Sequence, residues 1–432
     1  MKRKIVSLLT CLAMTTTMIV GCGGSGSGSA DQGQAAETPA TEQAEAPAAE
    51  QAEAPAAEQA EAPAAEQTEA PAADAPAADA PAPAAGDIKI GVSIWSSTDV
   101  LGSKCKEIID AAAAALGVTV QYVDQGHVSE QVTASVDQLV AAGCQGIIIC
   151  NSSDTEMTSA IKTCDDNGVY LAQFFRIISE ENNPDIFEAA KSSPYYVGAV
   201  HENEPENGEK LVQILLDKGD RHIGLIGWEQ GDATWLGRWE GYQAGVDKWN
   251  AEHPDDQATL SEPQYAGTTA EGGTKAAEAL MAADPDLDAL IPAGGGGEPL
   301  LGTVAAIESA GKTGEIDVVS TDFLDDLGTR LADGSMAGES GGHYCDPLFA
   351  FMMVYNAIRG NYTGFEGQFN EILFPYLYVS SPEDYAGYEQ YFVDQLPYTA
   401  DELKEMADLD FDALAKKAAE LSIEDAAARS GN

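Results

Sequence analysis

Val136-Asp137-Gln138-Leu139-Val140-Ala141-Ala142-Gly143-Cys144-Gln145-Gly146-Ile147-Ile148-Ile149-Cys150 is the stretch from which the fold can be read. Its first half closes a helix predicted over residues 129–142, which Gly143 stops. Residues 146–150 then form an apolar run with no alternation. A strand with one wet face alternates polar and apolar side chains, so this run predicts a strand covered on both faces, as in a parallel sheet under helices.

The same rhythm extends in both directions. Upstream, a strand over 88–94, a helix over 103–116 ended by Gly117 and a strand over 118–123 are predicted. Downstream come a helix over 155–167 closed by Gly168 and a strand over 169–175. Glycine after the last helical residue is the usual left-handed stop. The pattern restarts at residue 195: strands over 195–200, 222–227, 289–293 and 317–320 alternate with helices over 204–218, 236–253, 269–283, 300–310 and 326–331. Residues 259–266 and 372–380 read as extended, 347–359 as a helix, and 399–429 as closing amphipathic helices. Repeated β-α units of this length predict an α/β fold with two doubly wound parallel-sheet lobes.

The N-terminal region has a different character. Lys2, Arg3 and Lys4 precede a short apolar stretch over 5–20, then Gly21-Cys22. This is the order of a secretory signal, and Ile19-Val20-Gly21-Cys22 resembles a bacterial lipobox, which makes Cys22 the expected lipidation site. Residues 23–87 pass from Gly/Ser into a recurring Ala-Glu-Ala-Pro-Ala-Ala-Glu-Gln, expected to be a disordered linker because its prolines interrupt helix and nothing in it could build a core. Fully extended it would reach roughly 200 Å.

From Ile88 onward 58 acidic residues stand against 19 basic ones, once the 13 acids and 3 bases before it are set aside from the totals of 71 and 22. Such a surface repels nucleic-acid backbones and anionic lipid heads, so no nucleic-acid partner is expected, and contact with the membrane is expected only through the lipid anchor. Cys105, Cys144, Cys150, Cys164 and Cys345 show no CxxC pair. They read as buried small side chains, with one bridge among Cys144, Cys150 and Cys164 left open. No metal and no cofactor is expected. G-x-S-x-G and HExxH are both absent, so the chain does not read as an enzyme, although Asp322 acting as a base on a glycan is kept as a competing hypothesis.

Ligands of open parallel sheets bind beyond the carboxyl ends of the strands. Those positions hold Trp95 to Asp99, including Thr98, then Asn151 to Asp154, Phe175-Arg176, Trp228 to Asp232, Gly294 to Glu298 and Thr321-Asp322, with Arg238 on the helix that follows. Hydroxyls both donate and accept, so acceptor carboxylates, forked arginines and flat aromatic faces suit a polyol. The same residues also serve as turns and caps. Trp235 and Trp239 read as core.

At this point the chain resembles the type I periplasmic sugar-binding family, close in pattern to ribose-binding proteins. The resemblance rests on Ile90-Gly91-Val92-Ser93, the quoted stretch to Ile149, Arg238-Trp239-Glu240-Gly241-Tyr242 and Ile316-Asp317-Val318-Val319-Ser320-Thr321-Asp322. It implies two lobes joined by a three-stranded hinge: an N-lobe of 88–198 and 344–373, a C-lobe of 199–343 and 374–398, and a helical extension over 399–432. It also implies a small-molecule ligand, in all expectation a sugar, and ABC permease subunits as partners for a monomer. A surface receptor feeding a chemoreceptor or kinase stays open as the alternative. Carried over by position, Arg238 and Asp322 would bind ligand, and alanine at either is expected to abolish binding without unfolding the chain. Phe175-Arg176 replaces an Asp-Arg pair and Gly296-Gly297 an Asn-Asp phrase. Cys345 stands where the family has glutamine, beside His343 and Tyr344, and Trp95 lies near the place of its paired aromatics. Those departures imply that the ligand is not a plain pentose.

Overall fold

The computed structural model describes residues 87–431 apart from 295–297, 364 and 366. The signal, Cys22, the linker and Gly296 therefore lie outside the described residues. The chain divides into Met1–Glu69 and Ala70–Asn432, and every described residue falls in the second unit.

Two sheets form. The first uses β1 (Lys89–Ile94), β2 (Thr119–Asp124), β3 (Gly146–Ile149), β4 (Tyr170–Phe174) and β5 (Tyr196–Glu202). The second uses β6 (His222–Gly227), β7 (Thr259–Leu260), β8 (Gln264–Tyr265), β9 (Ala289–Pro292), β10 (Asp317–Thr321) and β11 (Gly338–Gly341). β12 (Glu371–Phe374) then returns to the first sheet and β13 (Leu377–Val379) to the second. The orders are β2-β1-β3-β4-β5-β12 and β7-β6-β9-β10-β11-β13, so each half repeats one winding pattern; β8 also pairs with β6. All pairings are parallel except β13 against β11. The chain passes between sheets three times: after β5, after β11 and between β12 and β13.

β3, read from its unbroken apolar run, is buried at every position. The helix Asp346–Ile358 is apolar nearly all round, and its neighbours explain why. One side packs on β3, β4 and β5, while helix Val100–Leu116 and the closing helix Phe411–Ala419 cover others. A helix with no wet face needs no polar stripe. The strands after residue 330 were harder to read. β11, Gly-Glu-Ser-Gly, carries no apolar residue, and burial on both sides comes only from its neighbours. The helix Pro184–Ser192 was likewise not expected. The five cysteines among the described residues are buried and free, so the open possibility of a bridge among Cys144, Cys150 and Cys164 is not realised. Trp235 is fully buried, as expected of core.

At the far end of the second sheet, buried Asp220 is hydrogen-bonded to Asp317 and faces Asp288, with Lys218 opposing. Burial first, then these two carboxylates, push its pKa up to about 7. A carboxyl raised in the fold favours folding less as pH climbs from the unfolded value, near 4, through the folded one. Asp220→Asn should therefore leave stability unchanged at pH 4 and raise it at pH 8 by on the order of 2 kcal/mol, read from urea melts at the two pH values.

Candidate functional site

Three non-glycine residues among those described have a left-handed backbone: His127 (φ 55°), Phe175 (φ 57°) and Asp322 (φ 76°). Each sits just past the carboxyl end of a strand, β2, β4 and β10 respectively. Such backbone costs about 1–3 kcal/mol per residue and persists where surrounding contacts impose it. Here the Phe175 amide donates to Asp346 Oδ1 (3.3 Å), the His127 amide to Gln125 Oε1 (2.7 Å) and the Asp322 amide to Ser340 O (2.8 Å).

Arg238 lies on helix Ala233–Glu252, which crosses helix Glu204–Lys218 closely. Glycines permit the approach: a Cβ on Gly208 would stand 2.1 Å from Arg238 O, and one on Gly241 2.0 Å from Pro205 O. The crossing sets Arg238 against Glu204, the first residue of its helix. Arg238 Nε donates to Glu204 Oε2 (2.6 Å), and Nη2 donates to Glu204 Oε1 (3.2 Å) and to the Tyr376 hydroxyl (3.1 Å). That hydroxyl in turn donates to Glu204 Oε1 (3.0 Å). The guanidinium lies 5.3 Å from the centre of the Trp228 ring. Arg238 is 3% exposed, and its Nη1 is buried without a hydrogen-bond partner.

Asp322 and His343 form a second pair, Oδ1 to Nε2, at 3.1 Å. Burial works against a charge on His343, but the Asp322 hydrogen bond and charge, helped by Glu202, outweigh it and hold the imidazole above its ordinary range. His343 Nδ1 is buried without a partner. The His343 ring lies 5.3 Å from Phe175 and 4.9 Å from Tyr376, and Phe175 lies 5.7 Å from Trp95. A continuous run of side chains, Trp95, Phe175, His343, Tyr376, Arg238 and Trp228, therefore joins the strand ends of one sheet to those of the other. The His127 ring lies parallel to Trp95 with centroids 5.8 Å apart. Burial, then the Arg176 charge, lower the His127 pKa.

Of the residues expected from sequence, the structure brings Trp95, Phe175, Arg238, Asp322 and His343 together. Arg176 follows Phe175 and is half-buried; its Nη1 donates to Phe175 O (2.8 Å). Three others stand elsewhere. Thr98 is exposed and hydrogen-bonded to Ser96 within its own loop. Tyr344 turns into the core, its hydroxyl donating to Phe392 O (3.0 Å). Cys345 is fully buried, in the same core cluster as Cys105. The short 3-10 turn His343–Cys345 explains the division, since successive residues on it point about a third of a turn apart. His127, Glu204 and Tyr376 were not anticipated. The first two follow β2 and β5, so the strand-end rule would have found them had it been applied to every strand.

Beneath this cluster Glu202, the last residue of β5, and Asp346, the first of its helix, are buried and hydrogen-bonded to each other. Burial, and for Asp346 also the Glu202 charge, raise both carboxyls.

The sequence model described as periplasmic binding protein domain matches residues 90–344. Over 217 residues the chain is 25% identical to the D-ribose/D-allose-binding protein of Pseudomonas aeruginosa, which is 49% of this chain and 61% of that protein. The chain thus spans about three fifths of that relative's length. Among solved structures, it is similar to an ABC transporter solute binding protein from Agrobacterium vitis bound with alpha-D-tagatopyranose (18% identity, TM-score 0.57, 69% of this chain and 96% of that one). It is also similar to the binding component of the arabinose ABC transporter from Shewanella sp. ANA-3, bound to L-arabinofuranose (22%, 0.57, 73% and 98%). A third is the solute binding protein from Bacillus halodurans C-125 with bound myo-inositol (18%, 0.56, 71% and 99%). At these identities the likeness is one of fold. With the domain match covering more than half its length, the chain belongs to the periplasmic binding protein domain family.

Proposed function

We propose that this protein is the solute-binding lipoprotein of an ABC importer, taking a small polar ligand, a sugar or sugar-like polyol, between its lobes. The observation that carries this is the run from Trp95 to Trp228, in which aromatic rings at the strand ends of the first sheet meet Arg238 and His343 from the second. Relatives named for ribose, allose, tagatose, arabinose and myo-inositol support a polyol. Closure would turn about the three connections, bury the ligand and present a composite surface that permease subunits distinguish from the open form. Cys22 would carry the lipid and the linker would supply reach from the membrane. The protein would act as a monomer, outside the membrane, without catalysis.

A thermal-shift screen of the mature chain against mono- and oligosaccharides tests this, because a bound ligand raises the melting temperature by mass action. Asp322→Ala should weaken binding of the hit by about 10- to 150-fold, the worth of one hydrogen bond to a charged group. Calorimetry giving near-normal affinity would remove Asp322 from the site.

A further inference from the structure

The donors and acceptors of this cleft are unequally spent. Both Glu204 oxygens are occupied, by Arg238 and the Tyr376 hydroxyl. Asp322 faces His343. Near Arg176, Asp154 accepts from the Ser179 amide and Asn183, and Glu156 accepts through Oε2 from the Ser152 and Ser153 amides, leaving its buried Oε1 as an open acceptor. Deeper in the hinge, Glu202 and Asp346 bond to each other. Donors, by contrast, remain open. Arg238 Nη1 is buried with no partner on a residue 3% exposed, and His343 Nδ1, equally unpartnered on a residue 5% exposed, donates when Asp322 holds the imidazole in its charged form. Arg176 has no acidic partner within ion-pair distance among the described residues, whereas Arg221, Arg238, Arg330, Arg359 and Arg429 all do.

Neutral hydroxyls donate as well as accept, so a neutral sugar needs open acceptors in equal measure. A carboxylate only accepts, and the planar fork of arginine matches it with two parallel bonds. Leaving a buried donor unmet costs about 1–3 kcal/mol, more when it is charged. In a chain of net charge −49, a cationic side chain with no acid beside it is also the exception. Phe175 contributes by standing next to Arg176 and giving it only a backbone carbonyl.

We infer that the ligand is an acidic polyol, a monoanionic sugar acid of the uronate or aldonate class, whose carboxylate is held by Arg176 with the open donors of Arg238 and His343. This rests on the sugar-type binding proposed above and narrows it.

The test uses the mature full-length chain at pH 7 and low salt, with calorimetry on matched pairs: D-galactose with D-galacturonate, D-glucose with D-glucuronate, D-ribose with D-ribonate. At least one acid is expected to bind ten-fold or more tighter than its neutral partner, and to weaken as salt is raised. Arg176→Gln should remove most of that preference while Arg176→Lys retains part of it, and both variants should melt like the wild type. Neutral sugars binding as tightly as the acids, or a preference untouched by Arg176→Gln, would overturn the inference and leave sugar binding standing. Failure of every neutral and acidic sugar to bind would instead overturn the proposed function, and the inference with it.

Discussion

Arg238→Ala should destabilise the protein by about 3 kcal/mol as well as abolish binding, because it strands Glu204 beside a buried hydroxyl. Removing one partner of a buried ion pair costs about 3–5 kcal/mol. The lower end applies here, since the Glu204 side chain keeps 18% of its surface against 4% for Arg238. The sequence-based expectation is that this alanine abolishes binding without unfolding the chain; the buried ion pair adds a loss of stability to that expectation. The double variant Arg238→Met with Glu204→Gln removes both charges and should recover stability to within about 1 kcal/mol of wild type while still failing to bind, since an apolar replacement of a whole pair is often neutral. Urea melts of the two singles and the double, with calorimetry on each, check this. Equal instability of the double and of Arg238→Ala would mean that the pair contributes nothing and that the guanidinium's place over the Trp228 and Tyr376 rings is what counts.

The second large effect concerns pH. Glu202 and Asp346 share a hydrogen bond at two of the three connections between the sheets. Glu202 is faced by His343, Glu204 and His201, and Asp346 by the Phe175 amide and Cys150. Two carboxylates so placed cannot both ionise cheaply, so one proton is retained. Both pKa values are raised in the fold, so the native state holds more protons than the unfolded one. The pair's contribution is fully present below the ordinary carboxylate range and is lost as pH rises through the raised values. Each unit by which the titration is raised corresponds to about 1.4 kcal/mol. Glu202→Gln mimics the protonated form permanently, with an amide that can donate to Asp346. It should match wild type near pH 4 and exceed it by about 1–3 kcal/mol at pH 9. Stability curves that run parallel from pH 4 to 9 would show that the pair holds no extra proton.

Much of the architecture was legible because it is written locally. The run Ile147-Ile148-Ile149 declares burial on both faces, and Gly117 and Gly168 adopt the left-handed conformation that stops a helix. The strand-end rule then led to Trp95, Phe175 and Asp322 without any knowledge of their neighbours. It could not tell that Tyr344 and Cys345 turn inward, because adjacent residues on one turn differ only in rotation, and packing against Phe392 and Cys105 sets that rotation. Nor did it anticipate β11, whose Gly-Glu-Ser-Gly is buried by what surrounds it.

Sequence alone thus determined the alternation of parallel strands and helices and the two-fold repeat of that pattern, since hydrophobic period and glycine stops act over a few residues. Only the tertiary structure decided which charges meet. Arg238 lies 34 positions from Glu204 and 138 from Tyr376 along the chain, and Phe175 171 from Asp346. No spacing rule spans such distances: these partners are chosen by helix crossings and by the passage of the chain between sheets, which exist only once the lobes have folded.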